Sequence, residues 1–275
     1  MRRLAIAFAA PALALGVGFT SSVLAQGRTI EETLVLKDPT VAAAGKWKVG
    51  GALEYWYING KVNFYDQNGT KTGDGTISFK QPGANLFAGY GDFTIQGTHR
   101  SGKGDVTAHI GTLSYTSDSK QTDDELTLRW LIRAWSSRVL TPYVLAGYST
   151  TKVTDDKTIT AGAFVWTCTG TTRASYTTEY KAPVLGIGGI FPISEKFGAR
   201  LDGRYKHYNA TQKCGSTEVS GSGNGGDGTL TGYYNITNSL NLQAGGKYTY
   251  LNGGSAIGYS GRLGLFGMLG YSLAF

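Results

Sequence analysis

Along its last stretch the chain sorts its side chains into two faces with a period of two. The odd positions are Tyr259, Gly261, Leu263, Leu265, Gly267, Leu269, Tyr271, Leu273 and Phe275. The even positions are Ser260, Arg262, Gly264, Phe266, Met268, Gly270, Ser272 and Ala274. One face is bulky and apolar, and the other is small or polar apart from Phe266 and Met268. A helix, with its 3.6-residue repeat, scrambles such a pattern, whereas a strand keeps it. The pattern recurs: Leu240, Leu242, Ala244, Gly246, Tyr248 and Tyr250 oppose Asn241, Gln243, Gly245, Lys247 and Thr249. Ala199, Leu201, Gly203 and Tyr205 oppose Arg200, Asp202, Arg204 and Lys206.

The length of these runs, 10 to 17 residues, chooses between architectures. Strands of a soluble sandwich average about 5–6 residues. A strand crossing a bilayer needs about 9–11 residues at a tilt near 45°. Ten residues at about 3.3 Å each, so tilted, rise about 23 Å, close to the roughly 25 Å apolar band of membrane barrels. Tyr55, Tyr57, Tyr248, Tyr250 and Tyr259 fall at strand ends, where amphipathic rings meet a membrane–water boundary. The expected fold is all-β, a single antiparallel transmembrane β-barrel of about ten strands, with eight or twelve also compatible. The strands are expected near 46–58, 85–98, 105–117, 124–135, 142–154, 181–192, 198–209, 228–236, 240–251 and 258–275. Short turns near 101–104, 136–141, 194–196 and 237–239 alternate with longer connections near 59–84, 118–123, 155–180, 210–227 and 252–257.

Composition removes the other classes. Aromatics at 12% are too many for a disordered chain, and 41 Gly in 275 residues suit curved, closely approaching strands. Two Cys do not make a disulfide scaffold, and beyond residue 25 no apolar run reaches the roughly 20 residues of a spanning helix. The start is different. Met1-Arg2-Arg3 precedes an apolar run over 4–19, and small or aliphatic residues lead to Ala25, the layout of a secretory signal peptide. The expected organisation is a signal peptide over 1–25 cut after Ala25, a periplasmic tail over 26–45 and the barrel over 46–275.

The chain closes on Gly270-Tyr271-Ser272-Leu273-Ala274-Phe275. A final strand ending on Phe275, with hydrophobic Leu273 two before it and Gly270 five before, resembles the assembly signal of bacterial outer-membrane proteins. Met268 stands where that signal begins with a polar residue. Over about 46–275 the chain resembles small outer-membrane β-barrels of the OmpA/opacity-like class. That resemblance implies location in the cell outer membrane, insertion by the barrel-assembly machinery, and a structural or surface-interaction role; it does not imply an activity.

With the bulky faces toward lipid, the lumen is expected to receive Lys48, Glu54, Asp92, Glu125, Arg129, Arg133, Arg200, Asp202, Arg204, Lys206, Lys247 and Arg262. Two readings follow. The charges form a salt-bridge network filling a narrow barrel, or they line a narrow channel that favours anions, with Arg129, Arg133, Arg200 and Arg204 setting the rate. Small barrels are filled by side chains and wide channels need more strands, which favours the first. Cys168 and Cys214 fall in expected outer loops of an exported chain, so a disulfide is expected between them.

His99 is expected beside a periplasmic turn, His109 mid-strand, and His207 on the Leu201/Tyr205 face as an interfacial aromatic. Asp123-Asp124 and Asp155-Asp156 are expected in outer loops, where a rim hydrolase pairing His207 with an acid is imaginable. The sequence has no Gly-x-Ser-x-Gly elbow and no tight Asp-x-His spacing, and a protein without enzymatic activity is expected. The sequence carries no cofactor or metal motif. Residues 220–228 read as a flexible tip, and the Thr-rich segment 158–180, with Phe164 and Trp166, as a candidate adhesive surface. The sequence pI is about 9.2. The bases are scattered along strands, so nucleic acid is not an expected partner. Outer-membrane lipid is, with lipopolysaccharide phosphates at outward Lys152, Lys181 and Lys213 and small anionic solutes or surface ligands at the mouth.

Overall fold

The computed structural model describes residues 37–65, 70–110, 113–158, 173–214, 217–252 and 259–275. Ten strands run β1 Trp47–Tyr65, β2 Lys71–Tyr90, β3 Phe93–Ile110, β4 Leu113–Leu131, β5 Thr141–Thr158, β6 Arg173–Pro192, β7 Phe197–Cys214, β8 Thr217–Asn235, β9 Leu240–Asn252 and β10 Tyr259–Ala274. Each pairs antiparallel with its sequence neighbours, and β1 pairs with β10 from Lys48↔Ala274 to Asn63↔Tyr259, closing the barrel. The strand number, eight to twelve by sequence, is ten. Closure leaves no unpaired edge for lipid to meet.

The lower half of the barrel wears an apolar belt. Leu53, Leu86, Ile95, Leu126, Leu128, Leu185, Ile187, Leu201, Leu230, Leu242, Leu263, Leu265 and Leu269 are all exposed on its outer wall. Trp47, Tyr90, Phe93, Trp130, Phe197, Tyr234 and Tyr271 ring the belt at the end that carries the strand-one and strand-ten termini. Trp47 and Tyr90 are in contact there at 4.9 Å between ring centres. Tyr57, Tyr148, Tyr205, Tyr248 and Tyr250 ring its other edge. Above Tyr57 the outer face of β1 turns polar, as Asn59, Lys61 and Asn63. Such paired aromatic girdles mark the two interfaces of a transmembrane barrel.

The strands are longer than the belt. β2 has 20 residues. At about 3.3 Å per residue and a 45° tilt it rises about 47 Å, nearly twice the roughly 25 Å apolar band. The upper half of the barrel therefore stands beyond the membrane.

This extension corrects several sequence-based boundaries. The expected loops over 59–84, 118–123 and 210–227 are mostly strand, and the expected tip over 220–228 lies within β8. Above the belt the outer faces turn polar and β8 is polar or glycine on both faces, so hydropathy stops alternating there while the hydrogen-bonded ladder continues, although Ile77, Phe79 and Val153 still pack inward on β2 and β5. The expected turn at 101–104 is the middle of β3, and the β2–β3 turn is Gly91-Asp92, with Gly91 at φ +56°. Gly102 and Gly104 instead let β3 approach β2: a Cβ on either would strike the backbone at Lys80 or Ser78.

Of the expected periplasmic tail over 26–45, residues 26–36 lie outside the described residues and 37–45 are not a free tail. Its residues Asp38 to Ala42 are buried, at most 3% exposed, inside the lower mouth of the barrel. Val41 packs with Leu131, Tyr143, Leu145, Val184 and Ile190. Asn235 Nδ2 donates to the Lys37 carbonyl at 2.7 Å, and Thr94 Oγ1 donates to the Thr40 carbonyl at 3.0 Å. Apolar Val41 and Ala42 gain a core here that a free tail lacks. The signal-peptide segment 1–25 lies outside the described residues.

Candidate functional site

The inward faces build a polar column through the barrel. At its lower end Asp38 accepts from the Thr40 amide at 2.8 Å and hydroxyl at 2.6 Å, and its other oxygen faces Arg200 Nε at 3.5 Å. Arg129 Nη2 donates to Thr40 Oγ1 at 2.6 Å, and Lys48 Nζ donates to the Asp38 carbonyl at 2.9 Å. The plug is thus bound by lumenal bases from β1, β4 and β7. Asp38 lies outside the spanning strands. Burial works to raise its carboxyl pKa, but the Arg200 and Arg129 guanidiniums and the Thr40 hydrogen bonds hold it below the usual carboxylate range.

The middle of the column is an ion-pair network. Arg204 pairs with Glu125 and with Asp202, and Lys206 reaches Glu125 at 3.3 Å and Asp227 at 2.8 Å. Lys247 reaches Asp227 at 2.9 Å and Glu125 at 4.0 Å. Arg100 Nε faces Glu54 Oε1 at 3.5 Å, both side chains at most 9% exposed. Higher up, Asp123 accepts from Thr151 Oγ1 at 2.6 Å and Gln121 Nε2 at 2.8 Å. Arg262 Nη1 donates to Gln121 Oε1 at 3.4 Å.

Ten of the twelve expected lumen charges therefore point inward: Lys48, Glu54, Glu125, Arg129, Arg200, Asp202, Arg204, Lys206, Lys247 and Arg262. Asp92 and Arg133 instead pair with each other at the lower rim, in the β2–β3 turn and the short helical turn Arg133–Trp135. Sequence reasoning missed Arg100, Asp123, Asp227 and Asp38. The first three sit where loops or turns were expected, although each shares the inward parity of its strand, as Arg100 does with Thr94.

Two cavities remain in the column, of about 80 and 100 Å³, and Trp56, Arg100, Glu125 and Lys247 line both. Each has room for several water molecules. The upper cavity lies between the network and the outer strand ends, beside Tyr180, Tyr208, Ser260 and Arg262. The lower lies between the network and the plug, beside Thr40, Arg129 and Arg200.

All three histidines are on the outer wall, none in the column. His99 is mid-strand rather than beside a turn, and its Nδ1 meets Asp124 Oδ1 at 2.6 Å across β3 and β4. His109, expected mid-strand, is near the outer end of β3. His207 points out with Tyr205, as expected, and both meet Asn224 Oδ1, at 2.8 and 2.7 Å. Asp123 and Asp155, expected in loops, are on β4 and β5, and Asp155 accepts from Ser119. Among the described residues no three His, Cys, Asp or Glu side chains gather to hold a metal ion. Cys214 ends β7, but Cys168 lies outside the described residues, and with it the expected disulfide. Phe164 and Trp166 lie outside them too.

No family model matches the sequence, and neither does any curated protein. Solved structures do match. The outer membrane protease OmpT of Escherichia coli aligns with 87% of this chain and 100% of its own, at 10% identity and TM-score 0.55. The fold is that of a bacterial outer-membrane barrel. The translocator domain of the autotransporter NalP from Neisseria meningitidis aligns over 91% and 95% of the two chains, at 10% identity and TM-score 0.46. The outer membrane protein OprG of Pseudomonas aeruginosa aligns over 85% and 97%, at 12% identity and TM-score 0.37. The apolar belt with its two aromatic girdles agrees with that fold and with a barrel set in a membrane.

Proposed function

We propose that this outer-membrane barrel is sealed and acts at its outer surface, as a structural or surface-interaction protein rather than a diffusion channel. One observation carries the reading: the column is interrupted twice, by the Asp38–Ala42 plug and by the network joining Glu125 to Arg204, Lys206 and Lys247. Breaking such a buried network by removing one partner costs about 3–5 kcal/mol, so it does not open readily. The outward imidazoles and the barrel's upper half, raised beyond the belt, support interaction rather than catalysis. Insertion through the barrel-assembly machinery and contact with lipopolysaccharide belong to the same reading.

A narrow anion-favouring channel is the second reading. The lower cavity supports it, since five bases, Arg100, Arg129, Arg200, Arg204 and Lys247, line it with three acids, Glu54, Glu125 and Asp202. Planar-bilayer conductance of the refolded barrel separates the two, with heat-modifiable gel mobility verifying the fold. A folded barrel without steady steps supports the sealed reading. Steady anion-selective steps, reduced by Arg200→Ala and Arg204→Ala, overturn it in favour of the channel.

A further inference from the structure

The upper cavity holds three unpartnered hydrogen-bond donors against one unpartnered acceptor, Asp227 Oδ1. Trp56 Nε1, Ser260 Oγ and Arg262 Nε are buried atoms without a hydrogen-bond partner, and all three residues line this one cavity of about 80 Å³. They come from β1 and β10, the two strands whose pairing closes the barrel. Trp56 and Ser260 are 5% and 6% exposed. A buried indole N–H ordinarily finds an acceptor, and an orphaned buried donor costs about 1–3 kcal/mol.

Charge points the same way. The acids around the cavity are already engaged: Asp227 by Lys206 and Lys247, Glu125 by Arg204 and both lysines, Asp123 by Thr151 and Gln121. Asp124 is turned outward to His99. Among the described residues no carboxylate pairs with Arg262, whose Nη1 meets only the Gln121 amide oxygen, at 3.4 Å. A guanidinium with no carboxylate partner, beside two further donors, is a ready site for an oxyanion.

We propose that the upper cavity binds one small oxyanion, a sulfate, phosphate or carboxylate group, free or carried on a larger ligand presented at the outer mouth. Arg262 supplies the charge, Ser260 and Trp56 donate to its oxygens, and the Tyr180–Tyr208 edge-on pair, 6.4 Å between centres, flanks it. The network and the plug lie beneath, so the anion enters from the outer end. The site does not depend on the barrel being sealed, since binding is read at equilibrium whether or not the protein conducts.

The test is calorimetric titration of the refolded full chain in detergent with sodium sulfate, sodium phosphate or sodium acetate, at ionic strength held constant with chloride. Saturable binding of at least one oxyanion is expected, weakened about tenfold or more by Arg262→Gln and several-fold by the milder Ser260→Ala. Sulfate and phosphate binding without acetate assigns a tetrahedral group, and acetate binding assigns a carboxylate. Lys120→Gln, on the outer wall, is expected to leave the affinity unchanged. Heat-modifiable mobility verifies each variant, and Ser260→Ala carries the test if Arg262→Gln does not fold. No saturable binding, or equal affinity in the wild type and the folded variants, means that water alone fills the cavity and overturns the proposal.

Discussion

The guanidinium carbon of Arg100 lies 4.4 Å from the centre of the Trp56 ring, and the same guanidinium faces buried Glu54 at 3.5 Å. Trp56 also stacks on Phe266 at 4.3 Å, so β3, β1 and β10 are tied together between the two cavities. Arg100→Leu leaves the Glu54 charge buried and unpaired, and a loss of about 3–5 kcal/mol is expected in the urea unfolding midpoint of the detergent-folded protein. Arg100→Lys keeps the charge and loses the planar stack, and a smaller loss is expected. The double change Arg100→Leu, Glu54→Leu is expected to recover part of the loss, because no charge is then stranded. Equal loss in the single and double variants would mean that the pair is not coupled.

The plug gives a dependence on pH. Asp38 is held below the usual carboxylate range by Arg200 and Arg129, against burial, which works to raise it. Its folded-state value is therefore depressed, so its contribution is complete above its unfolded value near 4 and is lost as the pH falls through the lower folded value. Asp38→Asn removes that contribution at every pH. The stability gap between wild type and Asp38→Asn is expected to be largest near pH 7 and to shrink below about pH 4. A gap independent of pH would detach the plug from the Asp38 charge.

The belt was legible in the sequence and the upper barrel was not, for one physical reason. Where one strand face meets lipid and the other water or buried charge, hydropathy alternates, and Leu201, Tyr205, Arg200 and Arg204 all fell on the faces assigned to them. Above the belt Ser222 and Asn224 face out while Gly221 and Gly223 face in, and nothing in polarity separates them from a loop. The glycines of β3 misled in the same way: Gly102 and Gly104 are needed for close backbone approach but read as a turn. The plug was illegible because its partners, Thr94, Arg129 and Arg200, are distant in the chain. The donor cluster at Trp56, Ser260 and Arg262 was invisible until β1 and β10 met.

Above the belt the outer wall exposes lysines: Lys61, Lys80, Lys103, Lys120, Lys152, Lys181 and Lys213. Lys152 and Lys181 are on neighbouring strands, paired through Thr151↔Tyr180 and Thr150↔Lys181. Lys181 shares its charge with Glu179 at 3.2 Å, the residue directly opposite Lys152, and Lys213 with Glu218 at 3.0 Å, so the three lysines are expected to act together on a phosphate-rich lipid surface. Replacing Lys152, Lys181 and Lys213 together by Gln is expected to reduce lipopolysaccharide co-purification several-fold, more at low salt than at high salt. Unchanged co-purification would remove these residues from the lipid contact.

The seam of the barrel separates folding from delivery. The Trp47 amide donates to the Phe275 carbonyl at 2.9 Å, and the Phe275 amide donates to the Trp47 carbonyl at 3.0 Å. Gly270 is inward and tight against the Asn241 side chain, while Leu273 and Phe275 are exposed on the belt. The last residue thus closes only the final rung of a long β1–β10 ladder that runs on to Asn63↔Tyr259. Removing Phe275 forfeits two hydrogen bonds at a net of about 1 kcal/mol each. Refolding of the shortened chain in detergent is therefore expected to remain substantial. If Phe275, Leu273 and Gly270 also serve as an assembly signal, the heat-modifiable fraction in cell outer membranes is expected to fall far more steeply than refolding in detergent does. A parallel loss in both assays would mean that Phe275 acts through barrel closure alone.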